Sequence, residues 1–549
     1  MHIVADNPWK DGKDLLVLRN IKDNSMEQQR RKLPVGLQSF EKMRQEGYLY
    51  VDKTDIVWRL ANGPIKYNYL CRPRRFGKSI LVDTLECYFT GKKGLFEGLK
   101  IMQLEKAWTV HPVIRLDMSL GGDTADDIRK YLSKVFARYE TRYHIPIDES
   151  NSLSSRFDLI IQTAYEQTGQ RVVVLIDEYD SPLLYSWRTP HHEECAALYR
   201  AVFTILKADD FYVHFILIAS ITKFTQLSLC SGLNNLSNIS FRPEYASLCG
   251  ITEDEITEYF QPELQKMSEA NGWTMHETRQ RLKDYYNGYH FSEDNMVDVY
   301  NPFTLINAMN DCELRNYWVS SGATSLLPQL IDDAEIRMNY FDHCFAMRDQ
   351  LAMYDVSEGG TELFLYQSGY LTIKECDEFG YVLGFPNTEV RQALYEEVLP
   401  ALAMRPIGET KSIQARLAFQ LGTAQLPEAM KSLKSLIADV PYSNTKLASM
   451  DMDERYRLII STILNALGYR VEADRTLSDG RIDLVAWTSR YIYVIKLNLS
   501  NNGGDAAAAE QIRSHNYLAS FRSDARKPIG LAIGLDYEGK GLTGWQMEE

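Results

Sequence analysis

No apolar run in the 549 residues approaches the roughly 18 needed to cross a bilayer, which argues against a membrane-spanning segment. The opening MHIVADNPWKDGKDLL lacks a basic flank followed by an apolar stretch, so it does not read as a secretory signal. The eight cysteines (71, 87, 195, 230, 249, 312, 344 and 376) form no CxxC and no paired spacing. Singly scattered cysteines read as reduced thiols of a cytoplasmic protein, not as a disulfide framework or zinc site. Internal repeats and low-complexity tracts are absent. Excess positive charge is absent too: Lys+Arg number 60 against 74 Asp+Glu, a net charge of −14. Indiscriminate nucleic-acid binding through overall charge is therefore disfavoured, and any anion must be met locally. What is present, 45% hydrophobic and 24% charged residues, is the composition of a globular protein, long enough for about three domains.

The pattern divides the chain into four. Residues 1–32 are polar and weakly patterned, an N-terminal extension. Residues 33–249 alternate short β-rich runs (IKYNYLC, HPVIRLDMS, RVVVLIDEY, VHFILIAS) with longer helical patterns, which predicts an α/β fold with a parallel sheet. Residues 250–440 turn mostly helical, and LFLYQSGYLTIKECDEFGYVLGFPN reads as a helix end and a β-hairpin, a winged-helix-like module. Residues 441–549 give the order α-β-β-α-β: MDERYRLIISTILNALG, RIDLVAW, YIYVIKL, AAAAEQIRSHNYLASF and PIGLAIGLD.

The densest basic cluster of the first half is CRPRRFGKS. Arg72, Pro73, Arg74, Arg75, Phe76, Gly77, Lys78 and Ser79 follow a predicted strand and open a predicted helix. That is the context of a phosphate-cradling loop, with backbone N–H groups and a helix N-terminus aimed at an anion. In this P-loop reading the ligand is ATP, with Lys78 on the β- and γ-phosphates and Ser79 on Mg²⁺. The first glycine of GxxxxGK[ST] is replaced by Arg72. GKS alone is a weak signal, and a basic turn before a helix is the bland alternative. VVVLIDEYDSP adds weight: Asp177 would hold Mg²⁺ through its water shell and Glu178 would polarise the attacking water. Strands between and after the two motifs fit ATPases with an extra central strand and a catalytic glutamate. Ser220 and Thr222, beyond the last strand, are candidate sensors of the γ-phosphate. Arg74 and Arg75 are candidate phosphate clamps, or arginine fingers acting in trans within a homo-oligomer.

LPVGLQSFEKMRQEGYLYVDKT, RPRRFGKS, IDEYDSPL, ITKFTQLSLCSGLNNLSNIS, YYNGYHFS, VYNPF and LYQSGYLTI, in this order, resemble the bacterial AAA-ATPase-like family whose members carry a C-terminal PD-(D/E)XK nuclease-superfamily domain. The resemblance covers residues 33–549. In that family RPRRFGKS is the ordinary form of the loop, so the missing glycine is a family trait. The resemblance implies an ATPase with Lys78, Ser79, Asp177 and Glu178 in the roles above, a restriction-endonuclease-like C-terminal fold, and candidate roles in defence or mobile-element biology.

A nuclease of this superfamily needs an acid on one strand and Glu-x-Lys on the next, where the two-residue period places both side chains on one face. The carboxylates hold Mg²⁺ and the lysine positions the water. Asp483 stands where the first carboxylate belongs, Glu454 where such folds often place an extra acid, and Gln511 fits the family's QI-x4-Y helix. The Glu-x-Lys pair, however, reads Lys496-Leu497-Asn498. Exchanging a carboxylate for an ammonium shifts the local charge by two units. Like charges about 4 Å apart cost about 4 kcal/mol at an effective dielectric near 20. Lys496 is expected to pair with Asp483, and phosphodiester cleavage is expected to be lost. The domain's 12 Lys+Arg against 14 Asp+Glu from Asp451 onward do not favour DNA, though DNA contact through this domain or the winged-helix-like module stays open. Pro190-His-His-Glu-Glu-Cys195 is read as a helix start rather than a metal site, and YYNGYHF as core and turn. The leading expectation is an ATPase coupled to a degenerate nuclease fold. The rivals are an active ATP-regulated, Mg²⁺-dependent DNA endonuclease and a nucleotide-gated scaffold without turnover.

Overall fold

A computed structural model describes residues 32–222, 235–292, 297–320, 344–348, 351, 356–403, 407–438, 450–477, 480–538 and 541–549. The extension 1–31, Cys230 and most of ITKFTQLSLCSGLNNLSNIS lie outside the described residues.

Five parallel strands form the first sheet: β1 (Tyr67–Cys71), β2 (Val113–Asp117), β3 (Val172–Asp177), β4 (Val213–Ser220) and β5 (Ser237–Asn238), in the order β2-β3-β4-β1-β5. β1 and β3 are buried at every position, as strands covered by helices on both faces must be. Alternate residues feed two cores. Val173 and Leu175 pack with Leu81, Val82 and Leu85 of the helix Lys78–Phe89. Val172, Val174 and Ile176 pack with Ile128 and Leu132 of Ala125–Arg142 and with Phe157 and Ile160 of Leu153–Thr168. Thr124 and Ser152 cap the latter two helices by accepting the Asp127 and Ser155 amides, which satisfies otherwise orphaned donors. β4 lies between β1 and β3, so the loop after β1 and the acids ending β3 face the same sheet edge across one strand.

The middle of the chain is mostly helical, with a two-stranded pairing of β6 (Ile251–Thr252) and β7 (Val299–Tyr300). The expected hairpin is present: helix Val356–Ser368 leads into β9 (Thr372–Cys376) and β10 (Gly380–Gly384). β8 (Cys344–Met347) completes an antiparallel sheet of order β8-β10-β9. Asp377 closes the hairpin by accepting the amides of Phe379 and Gly380, an Asx-type turn.

The C-terminal sheet has five strands, not three. β11 (Arg470–Leu477), β12 (Gly480–Trp487), β13 (Tyr491–Leu499), β14 (Lys527–Leu535) and β15 (Leu542–Glu548) pair in sequence order, with β13 and β14 parallel and the rest antiparallel. The two unexpected strands are the edges. Their half-exposed faces carry Glu472, Arg475, Gln546 and Glu548 instead of an apolar run, which hides them from a hydrophobic pattern. Helix Gly504–Ser514 ends before His515, and the expected continuation is a separate short turn over Tyr517–Phe521, with Asn516 left-handed between them at φ 46°.

One hydrophobic core runs the length of the molecule. It joins Leu81 and Phe76 to Tyr289, Phe291 and Trp318, then to Leu394, then to Ile460 and Tyr493 of the C-terminal unit.

Candidate functional site

β1 ends at Cys71 and the chain turns through Arg72–Gly77 into helix Lys78–Phe89. The left-handed residues of the loop are Arg75 (φ 70°) and Gly77 (φ 89°); Arg72, where the usual motif has its first glycine, is not left-handed. A side chain is therefore tolerated there, and it has a different task from ligand contact. Arg72 is fully buried. It donates to the carbonyls of Cys71 (2.9 Å), Ser240 (2.9 Å) and Tyr245 (3.0 Å) and lies 4.1 Å over the Phe291 ring.

Above the loop lies a cleft of about 430 Å³ lined by Arg74 through Leu81, by Arg115 and Asp117 of β2, and by Asp177 and Glu178 at the end of β3. Lys78 is buried in it, its Nζ bonded to the carbonyls of Arg72 (2.9 Å) and Pro73 (3.1 Å). Asp177 is 2% exposed, and the Ser79 hydroxyl is among the groups that act on its carboxyl. Burial pushes that carboxyl up; the Ser79 hydroxyl and the Lys78 charge work against that. Glu178 follows with a left-handed backbone (φ 49°) and a half-buried side chain. A strained non-glycine residue at a cleft acid is the kind of outlier that marks function.

Of the residues named from the sequence, Arg74, Arg75, Phe76, Gly77, Lys78, Ser79, Asp177 and Glu178 share one cleft, whereas Arg72, Pro73, Ser220 and Thr222 are absent from its lining. The Ser220 hydroxyl donates to the Thr222 carbonyl and is bonded to Tyr69. The Thr222 amide and hydroxyl both donate to the buried Asp180 carboxylate, whose pKa burial pushes up to about 6. Both sensor candidates are thus turned inward, because β4 ends beneath the Asp180 carboxylate rather than at the open edge.

Composition could not reveal the far wall of the cleft. Pro34–Gln38 on one side and Pro302, Phe303, Ile306 and Asn307 on the other form an apolar slot. The guanidinium of Arg75 lies 5.0 Å over the Phe303 ring. Lys53 also reaches this cleft, paired with Glu255 at 2.6 Å. The signal that could have found these residues is their place in long family motifs, LPVGLQSF and VYNPF.

The C-terminal unit brings Asp483 and Lys496 face to face. Leu484 pairs with Ile495 across β12 and β13, so the next antiparallel pair is Asp483 opposite Lys496. Lys496 Nζ lies 3.1 Å from Asp483 Oδ2 and donates to the Arg481 carbonyl at 3.0 Å; Asp483 also accepts the Leu497 amide at 2.8 Å. Asn498 is spent on the Asn502 carbonyl. Glu454 is exposed on the first turn of helix Met452–Ala466, and the acid that feels this site is its neighbour Asp453. Burial and the carboxylates of Asp451 and Asp483 push Asp453 up, against Arg457 and Lys496. Gln511 is half-buried on the far helix, and Tyr517, the tyrosine of its QI-x4-Y motif, is buried within the field of Asp483. Among the described residues no three His, Cys, Asp or Glu side chains are grouped as a metal site. The aromatic residues Tyr286, Tyr289 and Phe291 are buried, and a helix starts at His192, as read.

Residues 34–230 match the family described as "Predicted AAA-ATPase" and residues 452–542 match the PD-(D/E)XK nuclease superfamily. A protein of Azotobacter chroococcum mcd 1, described as an uncharacterized protein in the vnfD 5′ region, is 30% identical over 537 residues, covering 94% of this chain and 99% of that one.

Proposed function

The chain belongs to the AAA-ATPase-like family that carries a C-terminal PD-(D/E)XK nuclease-superfamily domain, and on that premise we propose that it binds and hydrolyses ATP with Mg²⁺ while its nuclease fold no longer cuts. The observation that carries the first half is the meeting of Lys78, Ser79, Asp177 and Glu178 on one cleft. The residues fit a nucleotide with its magnesium. Backbone N–H groups at a helix N-terminus and the Lys78 ammonium take the phosphates. The Ser79 hydroxyl and the Asp177 carboxylate would hold the ion, which offsets charge on the transferring phosphoryl group. Glu178 accepts a proton from, or orients, the attacking water. Arg74 and Arg75, on the same wall, add positive charge where negative charge builds up.

The second half rests on the Lys496–Asp483 pair, an ammonium where the superfamily's second carboxylate belongs. Asp453 is one further acid within the field of that pair, and a carboxylate already paired with a lysine is a poor holder for Mg²⁺. DNA contact through this domain or the winged-helix-like module, assembly into a homo-oligomer, and a role in defence or mobile-element biology belong to the same proposal.

Phosphate release measured with wild type, Lys78→Ala and Glu178→Gln tests the first half. Turnover in wild type, lost in both variants while Glu178→Gln still binds ATP, supports it; equal near-zero rates favour a scaffold without turnover. Plasmid cleavage in Mg²⁺ or Mn²⁺ tests the second half: robust cutting abolished by Asp483→Ala would overturn it.

A further inference from the structure

The unusual composition of the phosphate loop is explained by what lies beneath it. Three of its side chains pack against the middle of the chain. Phe76 meets Tyr289 edge-on at 4.7 Å and Phe291 at 5.3 Å. Arg72 stacks on the same Phe291. Pro73 presses against Gly369, where a methyl group would stand 2.6 Å from its Cβ. Gly369 is left-handed (φ 92°) and ends the helix Val356–Ser368, so it lets the QSGY turn approach the loop backbone closely. Behind it, Tyr370 packs edge-on to Trp318 at 4.8 Å, and the Trp318 amide donates to the buried Glu389 carboxylate.

Lys78 connects this underside to the cleft. Its ammonium has three donors, two of them held by the carbonyls of Arg72 and Pro73. Those are the residues that carry the Phe291 and Gly369 contacts. A phosphate that draws the Lys78 ammonium into the cleft pulls it away from those two carbonyls, which loosens the restraint on the loop segment Arg72–Pro73.

We propose that Phe291, Tyr289 and Gly369 of the middle region are positioning residues for the phosphate loop, and that phosphate binding at Lys78 is transmitted to that region through Arg72, Pro73 and Phe76. The proposal rests on the nucleotide reading above and adds the route by which an occupied site is felt outside it. The route continues by packing. Asn387 donates to the Asn287 carbonyl beside the YHF turn, and helix Thr388–Ala403 packs on Met452–Ala466, the helix that carries Asp453 at its start. Contiguity alone does not demonstrate coupling, so the experiment must read the coupling itself.

The full chain is examined by hydrogen exchange and by calorimetry with two probes, ATP analogue plus Mg²⁺ and inorganic tripolyphosphate, in wild type, Lys78→Ala, Phe291→Leu and Gly369→Ala. Both probes are expected to bind wild type and to change amide exchange across 285–291 and 366–371. Phe291→Leu, which adds no volume and leaves the cleft lining untouched, is expected to weaken both probes about tenfold, within the usual range for coupled sites. It should also blunt the exchange change, and Phe291→Tyr should restore both. Gly369→Ala should act in the same direction. If neither probe binds wild type, the nucleotide reading itself fails. If both bind and Lys78→Ala loses them, but exchange at the two segments is unaltered by ligand, the nucleotide reading stands and the transmission proposal is overturned. Undiminished affinity in a folded Phe291→Leu would overturn the positioning role.

Discussion

Lys496 Nζ lies 3.1 Å from Asp483 Oδ2, across two adjacent antiparallel strands, with side chains 14% and 8% exposed. A pair this buried contributes little net stability compared with apolar residues of the same shape, but breaking it leaves a charge without its partner. Asp483 also holds the Leu497 amide, so it cannot simply turn away. Lys496→Met is expected to destabilise the C-terminal unit by about 3 kcal/mol, read by urea denaturation. Lys496→Met combined with Asp483→Asn should lose less than the single change, because the amide keeps an acceptor for Leu497 and no charge is stranded. A double variant worse than the single one would contradict the pairing.

The frame around that pair predicts what restores a metal. In Lys496→Glu/Asn498→Lys, Asp483 and the new carboxylate share a strand pair, and Asp453 stands near both. Mn²⁺ should raise the melting temperature of this variant and leave wild type unmoved. Adding Asp453→Asn should remove the shift, whereas adding Glu454→Gln should not, since it is Asp453 that feels the charges of Asp483 and Lys496.

Glu178 is left-handed at φ 49°, a conformation that costs a non-glycine residue on the order of 1 kcal/mol and that asparagine accepts more readily. Glu178→Asn should therefore raise stability by roughly 0.5–1 kcal/mol in thermal unfolding and retain ATP binding while phosphate release is lost. An activity loss accompanied by lower stability would argue that the strain is not there.

Burial pushes Glu389 up to about 8, against the hydrogen bonds it accepts from the Trp318 and Tyr317 amides and from Thr304. The folded protein thus holds a proton that the unfolded chain has released. The contribution is fully present below the unfolded pKa and is lost as pH rises through about 8. Stability should fall by about 2 kcal/mol from pH 6 to pH 8 on this account, and Glu389→Gln should flatten that fall in denaturation curves at the two pH values.

Most of the candidate site was legible because its residues are placed by local spacing. A strand, a loop and a helix start within a dozen residues place Gly77, Lys78 and Ser79, and an apolar run ending in two acids places Asp177 and Glu178. The parallel sheet followed from uninterrupted buried runs. The edge strands β11 and β15 did not, because one face of each meets water and the apolar signal is diluted.

The loop, the two acids at the end of β3 and the charge reversal at Lys496 follow from residue order alone, since each depends on residue type at a fixed short spacing. Tertiary structure decided the rest. It turned Arg72 under the loop instead of toward a ligand, because a cavity lined by Phe291 and three carbonyls lies there. It turned Ser220 and Thr222 toward Tyr69 and Asp180. It brought Asp453 within the field of Asp483 and Lys496. It also closed the cleft with Phe303, distant in the chain from Lys78. Local spacing fixes what a residue can do; the direction it faces is set by the elements packed against it, and those come from elsewhere in the chain.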